Sequence, residues 1–252
     1  MDKEREFFKK RLLELANKSY ASGIFTFTDF LGLDEQSAFS EIKSSLGVIR
    51  YQAFGGAPGT ERVMIRFGDE EELGWVEDFP ISILKIEPRA KKWADKLTHR
   101  DLLGALMNLG IERDLLGDIV IRENEAFLFA KASIAEFIKN ELVRAKHTDL
   151  TVSFAQTLPD GELYKTEDLT VQCQSKRIDA VIARVFSLSR EEAQKLFLQG
   201  LVFVDGRCTE SVCRELIPEE IVSVRGKGRF IFSGQIGTSK KGKLNLAVKR
   251  YV

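Results

Sequence analysis

Histidine and cysteine are scarce, at two and three residues in a chain of 252. The imidazoles are His99 and His147, and Cys173, Cys208 and Cys213 include no Cys-x-x-Cys pair. These spacings exclude the usual structural zinc sites, and an odd thiol count gives no closed disulfide framework. No metal and no cofactor are therefore expected, and free thiols fit a reducing cytosol. No apolar run approaches a membrane span. The opening residues, Met-Asp-Lys-Glu-Arg-Glu-Phe-Phe-Lys-Lys, have no signal-peptide core. A cytoplasmic location is expected. Net charge is missing too: 38 Lys and Arg balance 38 Asp and Glu. Taken alone, that argues against a nucleic-acid partner.

The distribution reverses that argument. Residues 174–252 hold 15 of the cations but only 8 of the acids, a balance of +7, which leaves −7 on residues 1–173. Such polarisation is the footprint of a polyanion-facing module on an acidic body. The plainer alternative is two soluble domains that merely differ in charge.

Along the chain, Asp2 to about Ala21 reads as a helix with Phe8, Leu12, Leu15 and Ala16 near one face. A second helix is expected over 34–45. Strands at 48–54 and 61–67 flank Gly55-Gly56-Ala57-Pro58-Gly59-Thr60, a hairpin connection and a weak candidate for RNA contact. It lacks the Lys-Ser/Thr of a phosphate-binding loop. The run Asp69-Glu70-Glu71-Glu72 reads as a solvated boundary. Then come a strand at 81–86, a helix from about Lys91 that breaks near Thr98, and strands at 118–122 and 126–130. A helix over 133–146 with Ser133 as its cap and a strand at 150–154 complete this part. The order β-α-β-β-α-β is that of a ferredoxin-like, RRM-like sandwich. Phe127 and Phe129 share one face of the third strand, but no Gly or preceding cation completes an RRM stacking motif, so they read as core.

Residues 175–230 are the most informative stretch. Ser175 is the expected cap of a helix whose apolar stripe is Ile178, Val181, Ile182 and Val185, with Arg177 and Arg184 on another flank. Ser189 and Glu192 form a capping box for a second helix, with Arg190 at its first residue and Gly200 at its end. A helix start offers free N–H groups to a phosphate beside Arg190, on the side away from Glu191 and Glu192. Asp205-Gly206 signals a tight hairpin after the strand Leu201–Val204. After a second strand, Ile221–Val224, the run Arg225-Gly226-Lys227-Gly228-Arg229 spaces three cations with glycines. Taken alone it would be a charged turn.

Lys176-Arg177-Ile178-Asp179, Ser189-Arg190, Gly200, Val202-Phe203-Val204-Asp205-Gly206 and Ile221-Val222-Ser223-Val224-Arg225 together resemble an S4 domain, an αL-shaped RNA-binding module. Glu219-Glu220 departs from the Gly-Asp that such modules usually carry. The run from Leu97 to Ile111, with Gly117-Asp118-Ile119, widens the resemblance to the YlmH family of bacterial RNA-binding proteins. The resemblance implies a ribosome-associated role on obstructed large subunits carrying peptidyl-tRNA, in ribosome-associated quality control. The implied partners are rRNA, tRNA and the large subunit, with no small-molecule substrate and no membrane, for a monomer.

The fold expected is α+β: an N-terminal α/β hairpin subdomain (1–72), a central RRM-like domain (73–158), a linker (159–173) and a C-terminal S4-type domain (174–252). The RNA-binding residues expected are Lys176, Arg177, Arg184, Ser189, Arg190, Lys195, Arg207, Arg225, Lys227 and Arg229. His99, Arg100, Lys240, Lys241 and Lys243 are secondary contacts. No catalytic residue is assigned. His99-Arg100-Asp101 matches a kinase catalytic loop in three residues only, with Leu106 where the metal-binding Asn belongs. Two rivals stand beside this reading. One is an S4-bearing pseudouridine synthase, whose Arg-Leu-Asp segment has only Arg177-Ile178-Asp179 for comparison, inside the S4-like stretch. The other is a protein-interaction or membrane-surface adaptor linked to cell division.

Overall fold

The computed structural model describes residues 2–90, 96–123, 125–158 and 163–251. The start of the helix expected from Lys91, and residues 159–162 of the expected linker, lie outside them. The chain divides into two compact units, Met1–Leu163 and Tyr164–Val252.

The N-terminal unit begins with α1 (Asp2–Ser22), β1 (Thr26–Phe27), α2 (Leu33–Ile42), β2 (Tyr51–Phe54), β3 (Met64–Phe67) and α3 (Glu70–Leu73). The three strands form an antiparallel sheet in the order β1-β3-β2. Leu12 and Ala16 of α1 pack with Phe39, Ile42, Ile65 and Phe67. The acidic run read as a boundary forms α3, with the Asp69 carboxylate accepting from the Glu72 N–H.

It continues with β4 (Ile81–Pro88), α4 (His99–Asn108), β5 (Leu116–Arg122), β6 (Glu125–Lys131), α5 (Ala132–Glu141), β7 (Arg144–Ala145) and β8 (Thr148–Ala155). These strands make a fully antiparallel sheet, ordered β5-β6-β4-β8-β7. The helix expected over 133–146 stops at Glu141. Lys146 adopts a positive φ of 57°, which turns Arg144 and Ala145 back to pair with Asp149 and Thr148. Lys131, not Ser133, precedes the helix, and no side chain caps it.

Alternation gives this sheet two apolar faces. Leu84, Ile86 and Leu128 pack with Leu102 and Leu106 of α4 and Ala135 and Ile138 of α5. Val120, Phe127 and Phe129 pack on the other face with Phe30 and Met64 from the preceding subdomain. Phe129 is fully buried, and each such ring contributes about 2–3 kcal/mol. The glycine-rich connection closes over that face. Gly56 has φ +103°, and a Cβ there would lie 2.3 Å from Phe129 Cδ1. Gly55 and Gly56 therefore serve close packing, whereas Pro58 and Gly59 at the tip are exposed.

The half-buried Arg62 guanidinium ties the two layers together. Arg62 donates from Nε to the Leu116 carbonyl (2.9 Å) and from Nη2 to the Phe30 carbonyl (2.7 Å). Burial lowers its pKa, against the pull of Glu35, Asp118 and Asp114. Asp118 on β5 accepts from the Glu61 N–H at 2.6 Å.

The C-terminal unit contains β9 (Thr166–Cys173), α6 (Ile178–Val185), α7 (Arg190–Leu198), β10 (Val202–Val204), β11 (Arg207–Cys208), β12 (Ile221–Val224), β13 (Gly228–Thr238) and β14 (Leu244–Tyr251). Its antiparallel sheet runs β11-β10-β12-β13-β14-β9. Residues 166–173, read from sequence as linker, are a full edge strand on β14. Their alternation of exposed and buried positions had a partner strand to serve. Both helices cover one face, where Val181, Ile182 and Phe197 meet Val202, Val222, Phe230 and Leu246. Asp205 and Gly206 both have positive φ, 48° and 78°, as their hairpin requires. Glu219 has φ +71°, a left-handed backbone that favours glycine. Glu220 is buried and accepts from the Ile217 N–H at 3.0 Å and from Arg214.

Candidate nucleic-acid interface

The helix expected to start at Ser175 starts at Ile178 instead. The Leu216 N–H donates to the Lys176 carbonyl and the Ile178 N–H to the Arg214 carbonyl. Arg177 is extended and bridges Glu215, so this backbone is already engaged. Seven of the eight residues of α6 are buried, and Asp179 is one of them, with 0% of its side chain exposed. A buried carboxylate requires partners. Arg177 supplies two bonds, from Nε and Nη2, each 3.1 Å. Arg190 Nη2 stands 3.3 Å away, and Gln194 Nε2 donates at 3.5 Å. The acid therefore fixes two guanidiniums side by side and leaves the trio with a net positive charge. It also raises the Arg177 pKa through that side-chain hydrogen bond.

Beside this trio lies a cleft of about 390 Å3 lined by Arg184, Ser189, Arg190, Lys243, Gln172 and Gln174. Three cations and two amides surround it. Cys173 also lines it. Burial pushes that thiol's pKa up, opposed by Arg184 and Arg190. The acids of α7 are occupied elsewhere. The Ser189 N–H donates to Glu192 Oε2 at 2.7 Å, and the Glu192 N–H returns the bond to Ser189 Oγ at 3.1 Å. That cap lowers the Glu192 pKa, with help from Lys227 and Lys195. Glu191 pairs with Lys195 at 2.8 Å.

The structure divides the remaining candidates. Arg225 and Arg229 lie on the outer sheet face, away from the helices. Arg225 stacks on Phe203 (4.5 Å), and Arg229 lies over Tyr251 (4.1 Å) and Tyr164 (5.5 Å). The register decides this: Arg229 pairs with Ser223 and Ser223 with Phe203, each flanked by core residues that point the other way. Arg207 pairs with Val204 at the opposite edge of the sheet. Lys240 and Lys241 are exposed at the β13–β14 tip, where only Lys243 reaches the cleft. The cations expected to bind RNA therefore lie on two surfaces. Sequence reasoning gave no role to Asp179, Gln172 or Gln174. An acid inside the otherwise apolar stripe of α6 was the available signal.

In the N-terminal unit, His99 and Arg100 are exposed in the first turn of α4. Thr98 Oγ caps Asp101, and the Asp101 carboxylate accepts from the Thr98 N–H at 2.9 Å, which lowers its pKa. Phe127 and Phe129 are buried and face no solvent.

Residues 75–157 match the family model described as "Putative RNA-binding domain in YlmH". A curated protein of Bacillus subtilis (strain 168), "Ribosome-associated protein quality control protein P2", is 29% identical over 231 residues. That alignment covers 88% of this chain and 86% of the relative. Over residues 75–157 the chain is similar to the YlmH family. A solved structure, "Cell division protein ylmH from Streptococcus pneumoniae", is 22% identical, with a TM-score of 0.49 over 60% of this chain and 91% of that one. The C-terminal unit lies outside the residues matched to the family model.

Proposed function

We propose that this chain binds structured RNA on the large ribosomal subunit, rRNA with tRNA as a further partner, and acts there without catalysis in quality control of stalled peptidyl-tRNA complexes. In this reading the C-terminal unit is an S4-type module. The central sheet is ferredoxin-like and RRM-like: in chain order its long strands lie second, third, first, fourth. The observation that carries the reading is the cleft beside Asp179, where Arg184, Arg190 and Lys243 converge on the capped start of α7. Guanidinium forks match phosphate oxygens, and the free N–H groups of a helix start favour anions. The domain description of the central residues and the printed name of the B. subtilis relative point the same way.

The test is co-sedimentation of the full chain with purified large subunits. Arg184→Glu with Lys243→Glu should abolish it while circular dichroism stays unchanged, because neither residue belongs to the Asp179 trio. The wild-type salt dependence should have a log–log slope of roughly −4 to −5 if about six phosphates are neutralised. Full binding by the double variant, or equal binding to phosphatidylglycerol vesicles, sinks the proposal.

A further inference from the structure

In the domain matched to the RNA-binding family model, the sheet face on which an RRM would stack bases is covered. Its open face is closed by Phe30, Met64 and the Gly56 connection against Phe127 and Phe129. Contact with RNA must then use another side. The helix side offers a cleft of about 540 Å3 between α4 and the β7 turn, lined by Arg100, Gly104, Asn108, Glu141, Arg144 and Lys146 among others. Asp101 also lines it, but its carboxylate is committed to the Thr98 cap and lies 3.6 Å from Lys146.

Gly104 is the independent clue. It lies inside α4 and is exposed, its φ is not positive, and an added Cβ would meet nothing within 4 Å. Neither a turn nor internal packing calls for glycine there. A helix-interior glycine is less stable than alanine, and close approach of a partner's backbone is the remaining physical use for it. Arg100 and Asn108 stand one turn before and after it on the same stripe, and Arg144 and Lys146 form the opposite wall.

We infer that the α4–β7 cleft is a second RNA-binding site, taking a sugar–phosphate backbone against Gly104 between Arg100 and Arg144. This rests on the RNA-binding reading above. The probes are a fluorescein-labelled RNA hairpin and purified large subunits, both with the full chain. Arg100→Glu with Arg144→Glu should weaken hairpin binding about tenfold and reduce the salt slope by roughly two. Gly104→Leu leaves charge unchanged and fills the trough, and it should weaken binding at least fivefold with no fall in melting temperature. Arg184→Glu with Lys243→Glu is measured alongside. If that pair loses binding while both α4 variants bind as wild type, the α4 site is overturned and the earlier reading stands. Wild-type binding by all variants overturns both. Competition by polyglutamate as strong as by RNA assigns the cleft to an acidic protein and also overturns the inference.

Discussion

The two units build antiparallel sheets with helices on one face, and they treat the second face in opposite ways. In the N-terminal unit, Phe127 and Phe129 are sealed under Phe30, Met64 and a glycine loop. In the C-terminal unit the second face carries Phe203, Arg225, Arg229 and Tyr251, with guanidiniums laid on rings. A third apolar layer makes the first sheet a core, whereas stacked cations keep the second available to polar partners. Strand order by itself therefore does not decide how a sheet face is used.

The sharpest way to break this comparison is Gly56→Ala. A Cβ 2.3 Å from Phe129 at φ +103° should cost about 4 kcal/mol from overpacking and backbone strain, read by urea denaturation. A near-neutral result would mean the covering layer is loose. Next comes Arg177→Ala with Arg190→Ala, which strands the buried Asp179 carboxylate. It should cost about 3 kcal/mol, the low end for a broken buried pair because the arginines are partly exposed. Asp179→Asn should cost less, since it leaves only solvated cations behind, and a reversal of that order in melting curves refutes the account of the trio. Removing the α7 cap with Ser189→Ala should cost about 1 kcal/mol. Gly104→Ala should act the other way and stabilise by roughly 0.7 kcal/mol, while weakening RNA binding.

The smallest effect is a pH dependence. The folded pKa of Glu192 and of Asp101 lies below the ordinary values of 4.5 and 3.8. Their contribution is present above those values and is lost as pH falls through the lowered folded ones. Acid titration of the Ser189→Ala variant should show a shallower loss below pH 4.5 than the parent.

Much of the fold was legible because it is written in local signals. The Ser189–Glu192 capping box and the Asp205-Gly206 turn depend on residues three or fewer apart, and each formed as read. Misreadings arose where distant partners intervened. Residues 166–173 needed β14 to become a strand, and 176–177 were claimed by 214–216 before a helix could start. The candidate cations were found by type. Whether they share a surface depends on strand register, which places Arg229 opposite Ser223 and away from Arg184.

By itself the sequence determined the capped start of α7, the Asp205-Gly206 turn, the charge imbalance between its two parts and the likeness to a family, because each is set by neighbouring residues or by composition. Only the tertiary structure decided that Asp179 gathers Arg177 and Arg190, that one aromatic sheet face is sealed, and that the cations divide between two faces. Those outcomes depend on which buried groups must find partners and on which strand lies beside which, and residues far apart in the chain settle both.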